Sequence, residues 1–165
     1  MSVAEPSIRN AKMEEVDALA QLWLDGWRDA HLSLLPVELA RARTLESFRQ
    51  RLRAALEDVR VVVDCEKPLG FALVSGDELY QFYVAAEGRG TGVAALLMQD
   101  CLARFVRDGF GTAWLACAIG NMRAARFYEK AGWRRVAVTT SLLETGEGTI
   151  ALDVWRYEIA LSTVT

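Results

Sequence analysis

Arg89-Gly90-Thr91-Gly92-Val93-Ala94 joins a strand pattern to a helix pattern, and this junction is the strongest structural signal in the chain. Residues 79–84 precede it and read Leu-Tyr-Gln-Phe-Tyr-Val, the β-branched and aromatic content of a buried strand. Apolar residues at helical spacing follow it, namely Val93, Leu96, Leu97, Cys101, Leu102 and Phe105. The sequence therefore predicts a strand, a glycine-rich turn and a helix over about residues 91–107.

The glycines of this turn predict an anion-binding site. Gly88, Gly90 and Gly92 lack Cβ atoms, so the backbone can bend sharply and lie close to a ligand. The first amides of a helix have no partner within the helix, and the helix dipole favours negative charge there. A diphosphate is the expected ligand, and it would contact Arg89, Gly90, Thr91, Gly92, Val93 and Ala94.

Other glycine-rich turns fit these residues less well. A P-loop requires Lys-Ser/Thr after its last glycine, and no lysine follows here. A dinucleotide-binding turn may end in alanine, as the segment 90–95 does, but it needs an acidic residue after a second strand. Asp108 instead precedes Gly109 at the predicted end of the helix. Without further motifs, the turn could also be an ordinary strand-to-helix connection that binds no ligand.

A second motif lies at residues 121–133, which read Asn-Met-Arg-Ala-Ala-Arg-Phe-Tyr-Glu-Lys-Ala-Gly-Trp. Asparagine is a good N-cap residue, and Gly132 suits the C-terminal end of a helix. Ala124, Phe127 and Tyr128 fall on one face at i, i+3 and i+4 spacing. The segment therefore predicts a second helix, with an aromatic face.

Together and in this order, the two motifs resemble the GCN5-related N-acetyltransferase (GNAT) family. The turn is similar to the family's Arg/Gln-x-x-Gly-x-Gly/Ala signature, through Arg89, Gly92 and Ala94. The residues 121–132 are similar to its Asn-x-x-Ala-x-x-Phe-Tyr-x-x-x-Gly block. The resemblance is firmest over residues 69–138. It implies an enzyme that moves an acetyl group from acetyl-coenzyme A (acetyl-CoA) to a primary amine by direct attack in a ternary complex.

The order of the predicted elements indicates an α/β fold (α+β, with a mixed sheet) in one domain over residues 1–165. A helix–loop–helix through about residue 57 follows the first strand. Hairpins followed by strand–helix–strand units place helices on the faces of a mixed sheet. The predicted strands cover residues 7–10, 60–64, 69–75, 79–84, 113–118, 133–139 and 151–160. The resemblance implies about seven strands, mostly antiparallel.

Size and composition restrict the possible partners. The 165 residues suit one domain, and a 52% hydrophobic content suffices for its core. The net charge of −3 gives no general attraction for nucleic acid. No run is apolar enough to cross a membrane, and residues 1–6 show no signal peptide. We therefore expect a cytoplasmic protein without nucleic-acid or membrane partners.

The cysteines and the single histidine favour neither disulfides nor a metal site. Cys65, Cys101 and Cys117 are widely spaced and form no Cys-x-x-Cys pair, which favours reduced thiols. His31 alone is too few histidines for a typical zinc site. A covalent route through Cys101 or Cys117 is disfavoured, because neither lies beside a recognisable base. We expect no metal cofactor.

Arginines concentrate between residues 41 and 53. Apolar residues at helical spacing oppose them, so the sequence predicts an amphipathic helix whose basic face meets water. The arginines are Arg41, Arg43, Arg49, Arg51 and Arg53.

The family resemblance implies further contacts with the cofactor. In the family, the strand at residues 79–84 splays from its neighbour, and the pantetheine arm pairs with its backbone, here at Phe82 and Val84. A backbone N–H at the end of this strand is the candidate for stabilising the oxyanion. Asn121 matches a side chain that contacts the pantetheine arm or an ordered water.

Tyr128 is the predicted general acid for the leaving thiolate, and it also borders the cofactor. A phenol has a pKa of about 10 and a thiol about 8.5, so the tyrosine is protonated and able to donate at neutral pH. The motif places Tyr128 at the position where the family uses a tyrosine as acid. Phe127 beside it is predicted to be core.

The general base is less determined by the sequence. An alkylamine with a pKa of about 10.4 must lose a proton before it attacks. Glu78, at the start of the strand, is the candidate base, with a solvated turn carboxylate as an equal alternative. A water chain is another alternative. His31 has the intrinsic pKa of a base, although a lone histidine is commonly incidental.

The acceptor is predicted only by class. Trp27, His31, Tyr80 and Tyr83 are the candidate substrate-binding residues, since aromatic rings attract cations. The acceptor would be the amine of a small molecule or of a peptide, and a homodimer is possible by resemblance. An acetyl-CoA-binding sensor without transfer activity is the alternative function.

Overall fold

The computed structural model describes residues 5–162, so the prediction about a signal peptide falls partly outside the described residues, at 1–4. The strands are β1 (Ser7–Asn10), β2 (Val59–Asp64), β3 (Lys67–Ser75), β4 (Glu78–Val84), β5 (Thr112–Ala118), β6 (Arg134–Thr145) and β7 (Gly148–Ala160). The α-helices are α1 (Val16–His31), α2 (Val37–Ala42), α3 (Leu45–Ala54), α4 (Val93–Arg107) and α5 (Met122–Lys130).

The seven strands form one sheet in the order β1-β2-β3-β4-β5-β7-β6. Only β4 and β5 pair in parallel, and the other neighbours are antiparallel. The predicted mixed, mostly antiparallel sheet of about seven strands with flanking helices is confirmed.

Helices cover both faces of the sheet, because alternate residues of the central strands point to opposite sides. Val62 and Ala72 join α4 and α5 in one buried cluster. Val61 and Phe71 join α1 and α3 in the other. This two-sided burial explains why β2 and β3 are continuous apolar runs rather than alternating ones.

The predicted N-terminal helix–loop–helix consists of three helices. Trp23 of α1 stacks on Phe48 of α3 with 4.5 Å between ring centroids. Thr44 begins α3, and its Oγ1 accepts a hydrogen bond from the amide of Ser47 at 3.1 Å. Trp23 also contacts Phe71 of β3, with 5.4 Å between ring centroids, so the same side chain holds α1 against both α3 and the sheet.

The prediction that the arginines of this region all face water is wrong for Arg43. Its side chain is buried, with 8% of the residue exposed. Its Nη1 donates to the backbone oxygen of Glu144 at 3.0 Å. The periodicity of α2 and α3 could not predict this burial, because Glu144 lies 101 positions from Arg43 in the sequence.

The C-terminal hairpin is longer than the sequence indicated. β6 continues to Thr145 rather than ending near Thr139, and β7 begins at Gly148 rather than at Ala151. Thr145 pairs with Gly148 across a tight turn. The mixed polar and apolar residues of 140–145 obscure the strand, since one face of this hairpin is largely exposed.

Candidate active site

β4 and β5 diverge and leave an open edge at the centre of the sheet. The two strands pair only at Glu78 and Trp114. The amide of Ala85 donates to Leu69 on the β3 side at 2.7 Å. Because successive residues of a strand direct their amides to opposite sides, Val84 and Phe82 direct theirs into the gap. These are the two residues that the sequence predicted as pairing positions.

A groove of about 660 Å³ begins at this gap and reaches the glycine-rich turn. We call it the turn groove. It brings together seven of the predicted cofactor-binding residues, namely Phe82, Val84, Arg89, Gly90, Ala94, Asn121 and Tyr128. Helix α1 supplies another wall through Gly26, Asp29 and Ala30, which the sequence did not indicate.

The turn presents a row of free amides at the start of α4. Gly90 and Gly92 have φ of +76° and +89°, which side-chain-bearing residues rarely adopt. Within residues 5–162, no hydrogen-bond acceptor is found for the amides of Gly90, Gly92, Val93, Ala94 and Ala95. Unpaired N–H groups at a helix N-terminus favour an anion.

Thr91 and Val93, both predicted to contact the ligand, instead stabilise the turn itself. The hydroxyl and the amide of Thr91 both donate to the backbone oxygen of Gly88, at 2.5 and 3.3 Å. The side chain of Val93 is buried beneath the turn. Neither Thr91 nor Val93 lines the turn groove.

A carboxylate bridges two arginines at the rim of the turn groove. Asp29 Oδ2 accepts from Arg89 Nη2 at 3.0 Å and from Arg123 Nη1 at 3.2 Å. The Arg89 guanidinium holds the pKa of Asp29 below its usual value, and Arg123 adds to this. The bridge ties α1 to the turn and to α5.

An inner cavity of about 210 Å³ lies beyond the gap, on the side of α1 and of the β6–β7 hairpin. It brings together the predicted base and all four predicted substrate-binding residues, namely Glu78, Trp27, His31, Tyr80 and Tyr83. The sequence did not indicate several other lining residues, among them Arg43, Arg51, Phe48, Ser141, Leu143, Leu152 and Val154. They come from α2, α3 and the hairpin, which only the tertiary fold brings to β4.

The turn groove and the inner cavity share one wall. It consists of Phe82, Tyr83, Asn121, Ala124 and Tyr128, which line both spaces. A molecule in the groove and another in the cavity would therefore meet at these side chains.

Tyr128 lies in an aromatic cluster on this shared wall. Its ring centroid is 6.5 Å from Phe82, 6.4 Å from Trp133 and 6.1 Å from Tyr157. Its hydroxyl has no hydrogen-bond partner among the described residues. Burial raises the pKa of the Tyr128 phenol, so it is protonated at neutral pH.

The two candidate bases differ in their ionisation. Burial raises the pKa of the Glu78 carboxyl, and the neighbouring charge of Asp77 adds to the effect. Burial lowers the pKa of His31 to about 4, so this imidazole is neutral and a weak base at neutral pH. Of the two, Glu78 is the stronger proton acceptor.

Asn121 belongs to the shared wall, and Cys117 lines the inner cavity beside it. Asn121 Oδ1 accepts from the amide of Ala124 at 3.4 Å and caps α5, which leaves its amide nitrogen for the groove. Burial raises the pKa of Cys117 to about 11, so this thiol is not a thiolate at neutral pH.

Within residues 5–162, no group of three or more His, Cys, Asp or Glu side chains could hold a metal ion. In the same part of the chain, none of the helices has the length and apolarity needed to cross a membrane.

Comparisons with known proteins agree with this geometry. The chain shares 36% identity over 110 residues with an uncharacterised N-acetyltransferase of Mycobacterium tuberculosis, covering 62% of this chain and 66% of that relative. A GCN5-related N-acetyltransferase from Rhodopseudomonas palustris has a similar fold, with a TM-score of 0.75, 18% identity and coverage of 98% and 99% of the two chains. An N-acetyltransferase from Thermoplasma acidophilum, solved in complex with coenzyme A, also has a similar fold. Its TM-score is 0.69 and its sequence identity 15%, over 94% of this chain and 99% of that one.

The sequence profile described as "Acetyltransferase (GNAT) family" matches residues 16–133, from the start of α1 to the end of the second motif. The match includes the turn, the splayed strand and the aromatic helix face. The chain therefore belongs to the acetyltransferase (GNAT) family.

Proposed function

We propose that the protein transfers an acetyl group from acetyl-CoA to a primary amine of a small molecule or peptide, by direct attack in a ternary complex. The observation that carries this proposal is the shared wall. It includes Tyr128, which lines both the turn groove and the inner cavity, and this supports a role for its phenol between cofactor and amine.

The turn groove fits the cofactor in two respects. The free amides at the start of α4 suit a diphosphate, since unpaired helix-start N–H groups bind phosphate oxygens. The open edge of β4 suits the pantetheine arm, whose amides can pair with Phe82 and Val84 as a further strand would. The relative from Thermoplasma acidophilum was solved with coenzyme A, which supports this assignment.

The inner cavity would supply the amine as a free base. Its carboxyl group at Glu78 is the proposed acceptor of the ammonium proton. The amine nitrogen then bonds to the thioester carbonyl carbon, and the carbon–sulfur bond breaks. An amide of β4 in the gap stabilises the oxyanion.

Tyr128 completes the reaction as general acid in this proposal. Its phenol donates a proton to the leaving sulfur, and the second proton released by the nitrogen restores the phenol. Because burial raises its pKa, the phenol stays protonated until the thiolate forms. Cys117 takes no part, since a buried and protonated thiol is a poor nucleophile.

Thiol release with a panel of amines tests the proposal. We expect acetyl-CoA to bind to the protein and free coenzyme A to appear only when a suitable amine is present. Binding of acetyl-CoA without turnover for any amine would favour the sensor alternative. Failure of acetyl-CoA to bind would exclude both functions.

We expect Glu78→Gln to lower kcat/KM about 100-fold and to remove the acidic limb of its pH profile. A base must be ionised to accept a proton, so kcat/KM of the wild type should rise with pH as Glu78 ionises. The raised pKa of this carboxyl places the limb above the usual range for glutamate. Measuring kcat/KM from acidic to neutral pH checks this. An unchanged limb in the variant would assign it to another group.

The same substitution should stabilise the fold at neutral pH. The pKa of Glu78 is higher in the folded chain than the unfolded value of about 4.3. Below the unfolded pKa the carboxyl is protonated in both states and costs nothing. The loss of folding stability grows as the pH rises from the unfolded pKa to the folded pKa, and it is complete above the folded pKa. Thermal melts should therefore give Glu78→Gln a higher Tm than the wild type at neutral pH, and a smaller difference in acid.

A further inference from the structure

Two arginines line the inner cavity, and neither forms a salt bridge with another residue of the described range 5–162. Arg43, at the end of α2, and Arg51, on α3, both border it. Arg43 donates to a backbone oxygen, that of Glu144. For the Arg51 side chain, no hydrogen bond or ion pair is found within residues 5–162, although Arg49 and Arg53 on the same helix do form ion pairs.

Two guanidinium groups close to each other lower the stability of the fold unless an anion lies near both. Arg43 is about nine-tenths buried, and a buried charge without a counter-charge loses hydration that a backbone carbonyl replaces only in part. Burial lowers the pKa of Arg43, and the positive charge of Arg51 lowers it further, while Tyr80, Tyr83 and the carboxylate of Glu144 offset part of this effect. The two guanidinium groups are therefore close enough to repel each other, and an anion between them would stabilise both.

The charges of the cavity are separated by sign. Glu78 on β4 is the one carboxyl among its described lining residues, whereas Arg43 and Arg51 line the cavity from the end of α2 and from α3. The imidazole of His31 is neutral, so it adds no charge. This arrangement complements a molecule that carries a positive group at one end and a negative group at the other.

The size of the cavity restricts the molecule further. Its volume of about 210 Å³ suits an amino-acid-sized compound.

We propose that Arg43 and Arg51 bind an anionic group of the acceptor, so that the enzyme acetylates small amines that also carry a carboxylate or a phosphate. This inference rests on the proposed function, because the cavity is taken as the acceptor site. The guanidinium groups form charge-assisted hydrogen bonds with the anion, while the ammonium lies toward Glu78 and the shared wall.

Matched acceptors test the preference. ω-Amino acids from glycine to 6-aminohexanoate would be compared with amino alcohols of equal length, and phosphoethanolamine with ethanolamine. We expect the wild type to favour the anionic member of at least one series by about 10-fold or more in kcat/KM. The carboxylate and phosphate series distinguish the two sources of the anion.

Arg51→Gln is the test variant, because Arg51 is only partly buried and anchors no backbone group. It should lower kcat/KM for anionic acceptors about 10-fold or more and remove most of their advantage over neutral amines. Arg53→Gln is the matched control on the same helix, since Arg53 is exposed, pairs with Glu46 and lies outside the cavity lining. This control should behave as the wild type does.

Some outcomes would overturn the inference and leave the function standing. Equal use of neutral and anionic amines by the wild type would do so, as would equal losses for both classes in Arg51→Gln. If no amine is acetylated, the proposed function fails instead. Calorimetric titration of the same acids in the presence of coenzyme A then decides the inference. Binding that Arg51→Gln weakens about 10-fold or more supports it, and absent or unaltered binding overturns it.

Discussion

Tyr128→Phe should lower kcat about 100-fold or more and leave the Kd for acetyl-CoA within about twofold. The substitution removes one oxygen atom from a ring that is held by Phe82, Trp133 and Tyr157. The phenylalanine ring keeps the groove wall, but the leaving sulfur loses its proton donor. Loss of a positioned general acid costs about 100-fold to 10,000-fold in rate. Steady-state thiol release and calorimetry of acetyl-CoA binding measure the two quantities separately.

Tyr157→Phe provides the control for this prediction. It makes the same chemical change in the same aromatic cluster, but the Tyr157 hydroxyl donates to Glu129 at 3.0 Å and lines neither the groove nor the cavity. We expect its kcat to stay close to that of the wild type, with a stability loss of about 1 kcal/mol for the missing hydrogen bond. Comparable losses of kcat and cofactor affinity in Tyr128→Phe would contradict the acid role.

Ala94→Asp should weaken acetyl-CoA binding about 100-fold or more without destabilising the fold. Ala94 lies in the first turn of α4 and lines the turn groove. An aspartate there sets a like charge against the diphosphate, and two unit charges 4 Å apart near a protein surface repel by about 4 kcal/mol before salt screening. A carboxylate in the first turn of a helix is otherwise favourable by about 0.3–1 kcal/mol. Calorimetry gives the Kd, and thermal melts give the stability.

Ala95→Asp is the matched control for the charge. Ala95 follows Ala94 in the same helical turn, but it is exposed and lies outside the groove lining. Both variants add one negative charge to a first turn that contains no acidic residue. We expect Ala95→Asp to keep most of the affinity for acetyl-CoA and to be as stable as Ala94→Asp. Equal affinity in the two variants would mean that the diphosphate lies elsewhere.

The parts of the site that the sequence predicted are those that local geometry determines. Gly90 and Gly92 adopt positive φ, a requirement that glycine meets within a few residues of chain. Asn121 caps its own helix, and the i, i+3 and i+4 spacing of Ala124, Phe127 and Tyr128 puts all three on one face of α5. Short-range rules of this kind also gave the positions of most strands.

Other residues of the site were identified only from the structure. The bridge from Asp29 to Arg89 and Arg123 joins residues 60 and 94 positions apart. The burial of Arg43 depends on a backbone oxygen 101 positions away, in a hairpin whose length the sequence did not reveal. The apolar patterns of strands and helices repeat every two to four residues, so they cannot predict contacts between residues so far apart in the sequence.

The sequence by itself therefore determined the glycine-rich turn and the capped helix α5, because both are formed by neighbouring residues. The tertiary structure decided the inner cavity. Residues of α1, α2, α3, β4 and the β6–β7 hairpin line it, and its charged residues come together only after these elements pack. Their relative positions follow from burial of the two clusters on the faces of the sheet, which is a property of the whole chain.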